Sequence, residues 1–162
     1  MGQQGTHGRS MYRDIARSPL WYSHCLNIEW SRLEVYMPMR ERVLKFLNDN
    51  RIEYLHTIHE PVFTARELAS VEHLPLRDVA KVVVFWSERG CALAVIPADM
   101  LLDLDQVRSI LGLSDVSLAT ESDLGRLFPD SELGAMAPLG NLFELPVFVD
   151  ENLAAENVIA FN

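Results

Sequence analysis

The stretch Ala80–Pro97, AKVVVFWSERGCALAVIP, decides the fold. Two apolar runs, AKVVVFW and CALAVIP, flank the polar turn SERG. Short runs rich in Val, Phe and Trp, bounded by a Gly-containing turn, read as two strands of an antiparallel hairpin. A strand's period of two puts Lys81 on one face with Val79, Val83 and Phe85. Upstream, TARE at Thr64–Glu67 has the form of a capping box, in which the Thr64 hydroxyl takes the Glu67 N–H and the Glu67 carboxylate reaches back. It predicts a helix running to about His73. Before it, EYLHTIH is short and β-like, and Val43, Phe46 and Leu47 recur at helical spacing, predicting an amphipathic helix over 39–50. Downstream, Asp103 caps a helix through Leu111 that Gly112 stops. VSLA reads as a short strand, Thr120 caps a helix to about Phe128, and LPVFVD and NVIAF read as two further strands. There is no internal repeat. Short strands interleaved with helices give an α/β (α+β) domain built on a single mixed β-sheet flanked by helices.

The composition bounds what such a domain does. At 162 residues, 49% hydrophobic and 23% charged, the chain suits one soluble domain with a substantial core. Its net charge is −9, and from Met39 onward 10 Lys and Arg face 20 Asp and Glu. Any nucleic-acid partner must therefore be met by a local basic patch. The two cysteines, Cys25 and Cys91, have neither metal-ligand nor disulfide-framework spacing, which fits a reducing, cytoplasmic setting. No apolar run approaches the ~18 residues that cross a bilayer. Residues 1–36 read differently: MGQQGTHGRS is polar and Gly-rich, and PLWYSHCLNIEW holds aromatics without a period. They are expected to form a peripheral N-terminal extension or tag, with the domain itself spanning 37–162.

Few residues offer chemistry. Lys81 opens an apolar strand, either as a strand-end lysine reaching water or as a partly desolvated ammonium that anchors an anionic or carbonyl group. His56 and His59 form H-x-x-H, but on a strand the rings point to opposite faces, and no cysteine or carboxylate set completes a tetrahedral site. No structural metal is expected. His59, beside EPVFTA, is the better of the two for lining a cleft. There is no G-x-S-x-G elbow, phosphate-binding P-loop or G-x-G-x-x-G. Cys91 reads as a small core residue, Asp103 and Asp105 as a helix start on a solvated face, and Asp150 and Glu151 either as partners of Lys81 or as caps of the next turn. One stretch stands apart. ELGAMAPLG, Glu132–Gly140, is a loop with almost no polar side chains, where a surface loop would carry Asn, Asp, Ser or Lys. What it offers is backbone N–H groups and close approach to a bound molecule.

In order along the chain, HEPVFTARELA, VAKVVVF, LAVIPADMLLDLDQV, LATESDLGRLF, GAMAPLG and LPVFVDENL resemble the motifs of the YbaK/prolyl-tRNA-editing domain family, over roughly residues 39–162. The family's members are aminoacyl-tRNA deacylases, free-standing or inserted in prolyl-tRNA synthetase. The resemblance implies that fold and hydrolysis of the ester joining a wrong amino acid to the tRNA 3′-terminal adenosine. It makes Lys81 the family lysine and Gly134 the first residue of the substrate loop, both with catalytic roles. Ala135, Met136, Ala137 and Pro138 follow as substrate-binding loop residues, with His59 and Thr64 beside them. In such a site backbone N–H groups stabilise the tetrahedral oxyanion while a positioned water attacks, helped by the substrate's own hydroxyls. No cofactor or metal is implied. The implied partners are mischarged tRNA, gripped weakly because Arg40, Arg42, Lys45, Arg51, Arg66 and Arg77 are scattered among acids, and an aminoacyl-tRNA synthetase. Neither DNA nor a membrane is implied. Two departures from the pattern are Val82, where the family often has a polar residue, and the end at Asn162, where members continue into a further strand and helix. They leave a second reading, a non-catalytic module of the same fold that senses an aminoacyl group or nucleotide or acts in protein interaction.

Overall fold

The computed structural model of the chain describes residues 37–129 and 136–162. At its centre lies the hairpin. Strands β1 (Ala80–Ser87) and β2 (Gly90–Pro97) pair antiparallel from end to end, with Lys81 opposite Ile96 and Ser87 opposite Gly90. Gly90 closes the turn at φ 104°, a conformation that a side chain disfavours. Strand β3 (Val116–Leu118) pairs antiparallel with the far end of β1, and β4 (Val147–Val149) runs parallel to β2. The result is a four-stranded mixed sheet in the order β3-β1-β2-β4.

Five α-helices surround it among the described residues: α1 (Met39–Asp49), α2 (Ala65–Val71), α3 (Leu104–Leu111), α4 (Glu121–Leu127) and α5 (Glu151–Ala154). Side chains cap the starts of α2 to α5. Thr64 and Thr120 form capping boxes with Glu67 and Asp123, while Asp103 and Asp150 each accept two N–H groups of the first turn. Gly112 ends α3 in the left-handed region at φ 62°.

The period of two sorts the sheet into faces. On one, Val82, Val84 and Trp86 pack with Leu93, Phe128, Phe143 and Leu145, joined by Leu124 and Met136. On the other, Val83 and Phe85 meet Val107, Leu111 and Leu113 of α3 and the chain after it. At the base of the sheet, Leu68 and Ala69 of α2 cover Val79 and Ala98. Phe85, Leu93 and Val95 are almost wholly removed from water, each contributing about 1.5–3 kcal/mol to the fold. The Phe128 and Phe143 rings meet edge to face, 4.9 Å between centroids, and so join the end of α4 to the chain before β4. The Arg42 guanidinium of α1 lies 5.9 Å from the Phe143 ring centroid and donates to the Leu142 carbonyl.

Two strands expected from sequence do not form. EYLHTIH takes no regular structure, because no strand of the sheet lies beside it, and Leu55 and Ile58 stand 88% and 90% exposed. NVIAF meets the sheet at one residue only. Ala160 accepts from the Ala80 N–H at 2.8 Å and donates to the Asp78 carbonyl at 2.9 Å, a single parallel bridge with Val79. The expectation that residues 1–36 are peripheral lies outside the described residues.

Candidate active site

Strand β1 has one full edge and one interrupted edge. On the β2 side all eight of its residues are paired. On the other side, among the described residues, β3 covers only Phe85–Ser87, and the bridge to Ala160 covers only Val79. A cleft of about 320 Å³ opens along the gap between them. Thr64 and Ala65, at the start of α2, line it together with Lys81 on one side of the sheet. Leu124 of α4 and Met136 line it from the other. Leu118 and Ala119 close the β3 end, Asn162 also faces the space, and the floor is the β1 backbone from Ala80 to Val84.

Local chemistry holds these walls. The Thr64 hydroxyl accepts the Glu67 N–H at 3.1 Å, and the Glu67 carboxylate accepts the N–H groups of Phe63 at 2.8 Å and Thr64 at 3.1 Å. The Phe63 N–H is the main reason the Glu67 carboxyl sits below its ordinary value. Across the cleft, the Asp123 carboxylate takes the Thr120 hydroxyl at 2.7 Å and the Thr120 N–H at 2.9 Å, which fixes α4 and hence Leu124. Asn162 donates through Nδ2 to the Val62 carbonyl at 3.2 Å, drawing the last residue against the segment that leads into α2.

Lys81 is the only ionisable side chain among the described residues lining the cleft. Its Nζ donates to the Met100 carbonyl, and the Arg66 guanidinium lies 3.5 Å from the neighbouring Asp99 carbonyl. Two cations thus end on consecutive carbonyls of one turn. Burial holds the Lys81 ammonium below its ordinary value, the Arg66 charge adds to this, and Asp99 opposes it. A cation so placed gains from an anionic or strongly polar partner, which restores what desolvation removed. The other walls are mostly apolar. Among the described residues the lining holds a lysine, a threonine, an asparagine and open backbone groups, and no Ser–His or Cys–His pair. That equipment suits holding a polarised carbonyl and a water.

The structure brings Lys81, Thr64 and Met136 onto one cleft. It does not bring His59, Ala137 or Pro138 to it. The His59 Nδ1 lies 2.7 Å from the Glu60 carbonyl oxygen. Ala137 is turned into the protein, 3% exposed, and Pro138 is half-buried without facing the space. Gly134 and Ala135 lie outside the described residues. Among the described residues no group of His, Cys, Asp or Glu could hold a metal ion, and no helix is long and apolar enough to cross a membrane. Residues that sequence reasoning missed are Val82–Val84, whose backbone forms the floor, and Ala119, Leu124 and Asn162 in the walls. A signal existed for Leu124 alone, through the capping box that starts its helix.

Residues 59–162 match the family model described as the aminoacyl-tRNA editing domain. The chain is 25% identical over 142 residues to a proline–tRNA ligase of Exiguobacterium sibiricum, covering 86% of this chain and 24% of the ligase. It is also 25% identical over 130 residues to the prolyl-tRNA editing protein ProX of Acetoanaerobium sticklandii, covering 76% of this chain and 79% of that protein. The crystal structure of a candidate trans-editing enzyme for prolyl-tRNA synthetase superposes with a TM-score of 0.61 at 25% identity, covering 74% of this chain and 76% of that one. The match includes the capped entry to α2, the lysine strand and both sides of the cleft, and the chain belongs to the aminoacyl-tRNA editing domain family.

Proposed function

We propose that this chain is a trans-acting aminoacyl-tRNA deacylase, which hydrolyses the ester joining a wrong amino acid to the 3′-terminal adenosine of tRNA. The observation that carries this reading is Lys81 and Met136, far apart in sequence, lining one small cleft whose floor is open backbone. In this reading the amino-acid side chain occupies the apolar part of the cleft, and Lys81 faces the terminal nucleotide or the ester. A water oxygen attacks the ester carbon, the bond from that carbon to the ribose oxygen breaks, and the water's proton ends on that oxygen. The products are a free amino acid and uncharged tRNA. Charge gathers on the carbonyl oxygen during attack, and fixed N–H donors and a nearby ammonium in a partly dry cleft stabilise it.

The names of the relatives support mischarged prolyl-tRNA as the first substrate to try. The acidic chain supports a weak intrinsic grip on tRNA, with a synthetase as the partner that presents it. Incubating the purified protein with a panel of mischarged tRNAs tests the proposal directly. The expected result is release of amino acid from one or a few species, reduced by about 10²-fold or more in Lys81→Ala, since a charged contact in a partly dry site is worth on the order of 3 kcal/mol. Binding without release from any species would replace the enzyme by a binding module. Release unaffected by Lys81→Ala would refute the site.

A further inference from the structure

On the interrupted edge of β1 one residue has no backbone partner for either its N–H or its C=O among the described residues. The Ala98 N–H donates to the Val79 carbonyl at 2.8 Å, so odd-numbered residues of this strand aim their N–H and C=O at β2. Even-numbered residues aim theirs the other way. Ala80 spends its N–H on Ala160 at 2.8 Å, and Val84 spends its carbonyl on the Ala119 N–H at 3.0 Å. Between them stands Val82. It faces the cleft, and among the described residues no backbone group lies opposite it on that edge.

We infer that Val82 binds the aminoacyl group as if it were a single added β-residue: the Val82 carbonyl accepts from the α-ammonium, and the Val82 N–H donates to the acyl carbonyl oxygen. The inference rests on the deacylase reading and deepens it. An aminoacyl ester carries its nitrogen and its carbonyl on one α-carbon, as any residue of a strand does. Two residues in a hydrogen-bonded antiparallel pair exchange N–H and C=O through that same spacing, and adding a strand to a free edge is a common mode of recognition. The gap admits about one residue, since Ala160 blocks one end and Ala119 the other. Main-chain contacts leave the side chain of the amino acid free to enter the apolar walls around Leu124 and Met136. Because Ala160 and Ala119 close the two ends of the gap, the preceding residues of a peptidyl-tRNA have no room along this edge. The arrangement also gives Val82 a role that its side chain does not reveal.

Amide hydrogen exchange tests this, with 3′-deoxy-3′-(L-alanylamino)adenosine as a probe whose amide carbonyl stands in for the ester. In the free protein the Val82 amide is expected to exchange on the order of 10²-fold faster than those of Lys81 and Val83, which are bonded to β2. Saturating probe is expected to slow Val82 at least tenfold. In parallel, Val82→Pro removes the N–H without breaking a bond to β2, and is expected to cut deacylation about 10²-fold, as loss of one oxyanion donor does. If the probe shifts the Lys81 signals while Val82 exchange stays unchanged, the edge proposal is overturned and the deacylase reading stands. If no signal in the cleft moves and no tRNA is deacylated, both fall.

Discussion

Lys81 keeps its charge against burial and against Arg66, so its ammonium is less favourable in the folded chain than in water. With a folded value below the ordinary 10.5, the penalty is fully present at neutral pH, shrinks as pH rises through the folded value, and is gone above 10.5. Lys81→Met is therefore expected to hold or raise the thermal midpoint at pH 7 while it lowers deacylation. The gap between variant and wild type should close toward pH 10.5, which a series of melting curves at rising pH would show. Gly140 tests the opposite kind of residue. An added Cβ there would meet Val147 Cγ2 at 2.1 Å and the Leu145 oxygen at 2.5 Å, so Gly140→Ala is expected to lower stability by about 1–3 kcal/mol in urea titration. At this scale sequence is a partial guide. A lysine opening an apolar strand announces itself, whereas Val82 matters through backbone groups whose exposure depends on what pairs beside them. His59 and Ala137 do not line the described cleft, since proximity in sequence to a site does not fix where a side chain turns.

Helices were legible because their signals are local. TARE, the Asp103 start and the Thr120 start each place a side-chain acceptor within three residues of the N–H it serves, and the structure contains all three. EYLHTIH and NVIAF were misread because a strand exists only beside a partner, and composition does not name the partner. Two capping carboxylates, Glu67 and Asp123, and Glu88, which accepts the N–H groups of Ser114 and Asp115, make a testable prediction. Glu67, Glu88 and Asp123 all sit below their ordinary values, through hydrogen bonds led by the N–H groups of Phe63 and Ser114 and by the Thr120 hydroxyl. Their contribution to stability is complete above the ordinary values of 4.5 and 3.8 and is lost as pH falls through the lower folded ones. A variant carrying Glu67→Gln, Glu88→Gln and Asp123→Asn should show a lower midpoint at pH 7 and a flatter decline below pH 4.5 than the wild type; parallel declines would refute this. Gly125 in α4 points the other way. Nothing lies within 4 Å of an added Cβ, so Gly125→Ala is expected to raise stability by about 0.5–1 kcal/mol.

The whole molecule carries −9, and a tRNA brings many more negative charges, so association must run through a small local patch against a repelling background. Beside the cleft that patch is Arg66 and Lys81, whose cations end on the Asp99 and Met100 carbonyls. Each phosphate neutralised on a single-stranded end contributes roughly −0.7 to the slope of log affinity against log salt. Two contacts give a slope of about −1.4, so a fourfold rise in salt should weaken binding only about sevenfold. A broad basic face would lose far more over the same range. Arg66→Gln should flatten the slope by about 0.7, and Lys81→Ala by a similar step. Both variants make the net charge one unit more negative, so a difference between their two steps reports contacts and not net charge. Fluorescence anisotropy with a labelled acceptor-stem mimic across a salt series reads the slopes. A wild-type slope steeper than about −4 would mean that cations beyond this turn hold the tRNA, and the weak grip proposed for the chain would have to be abandoned.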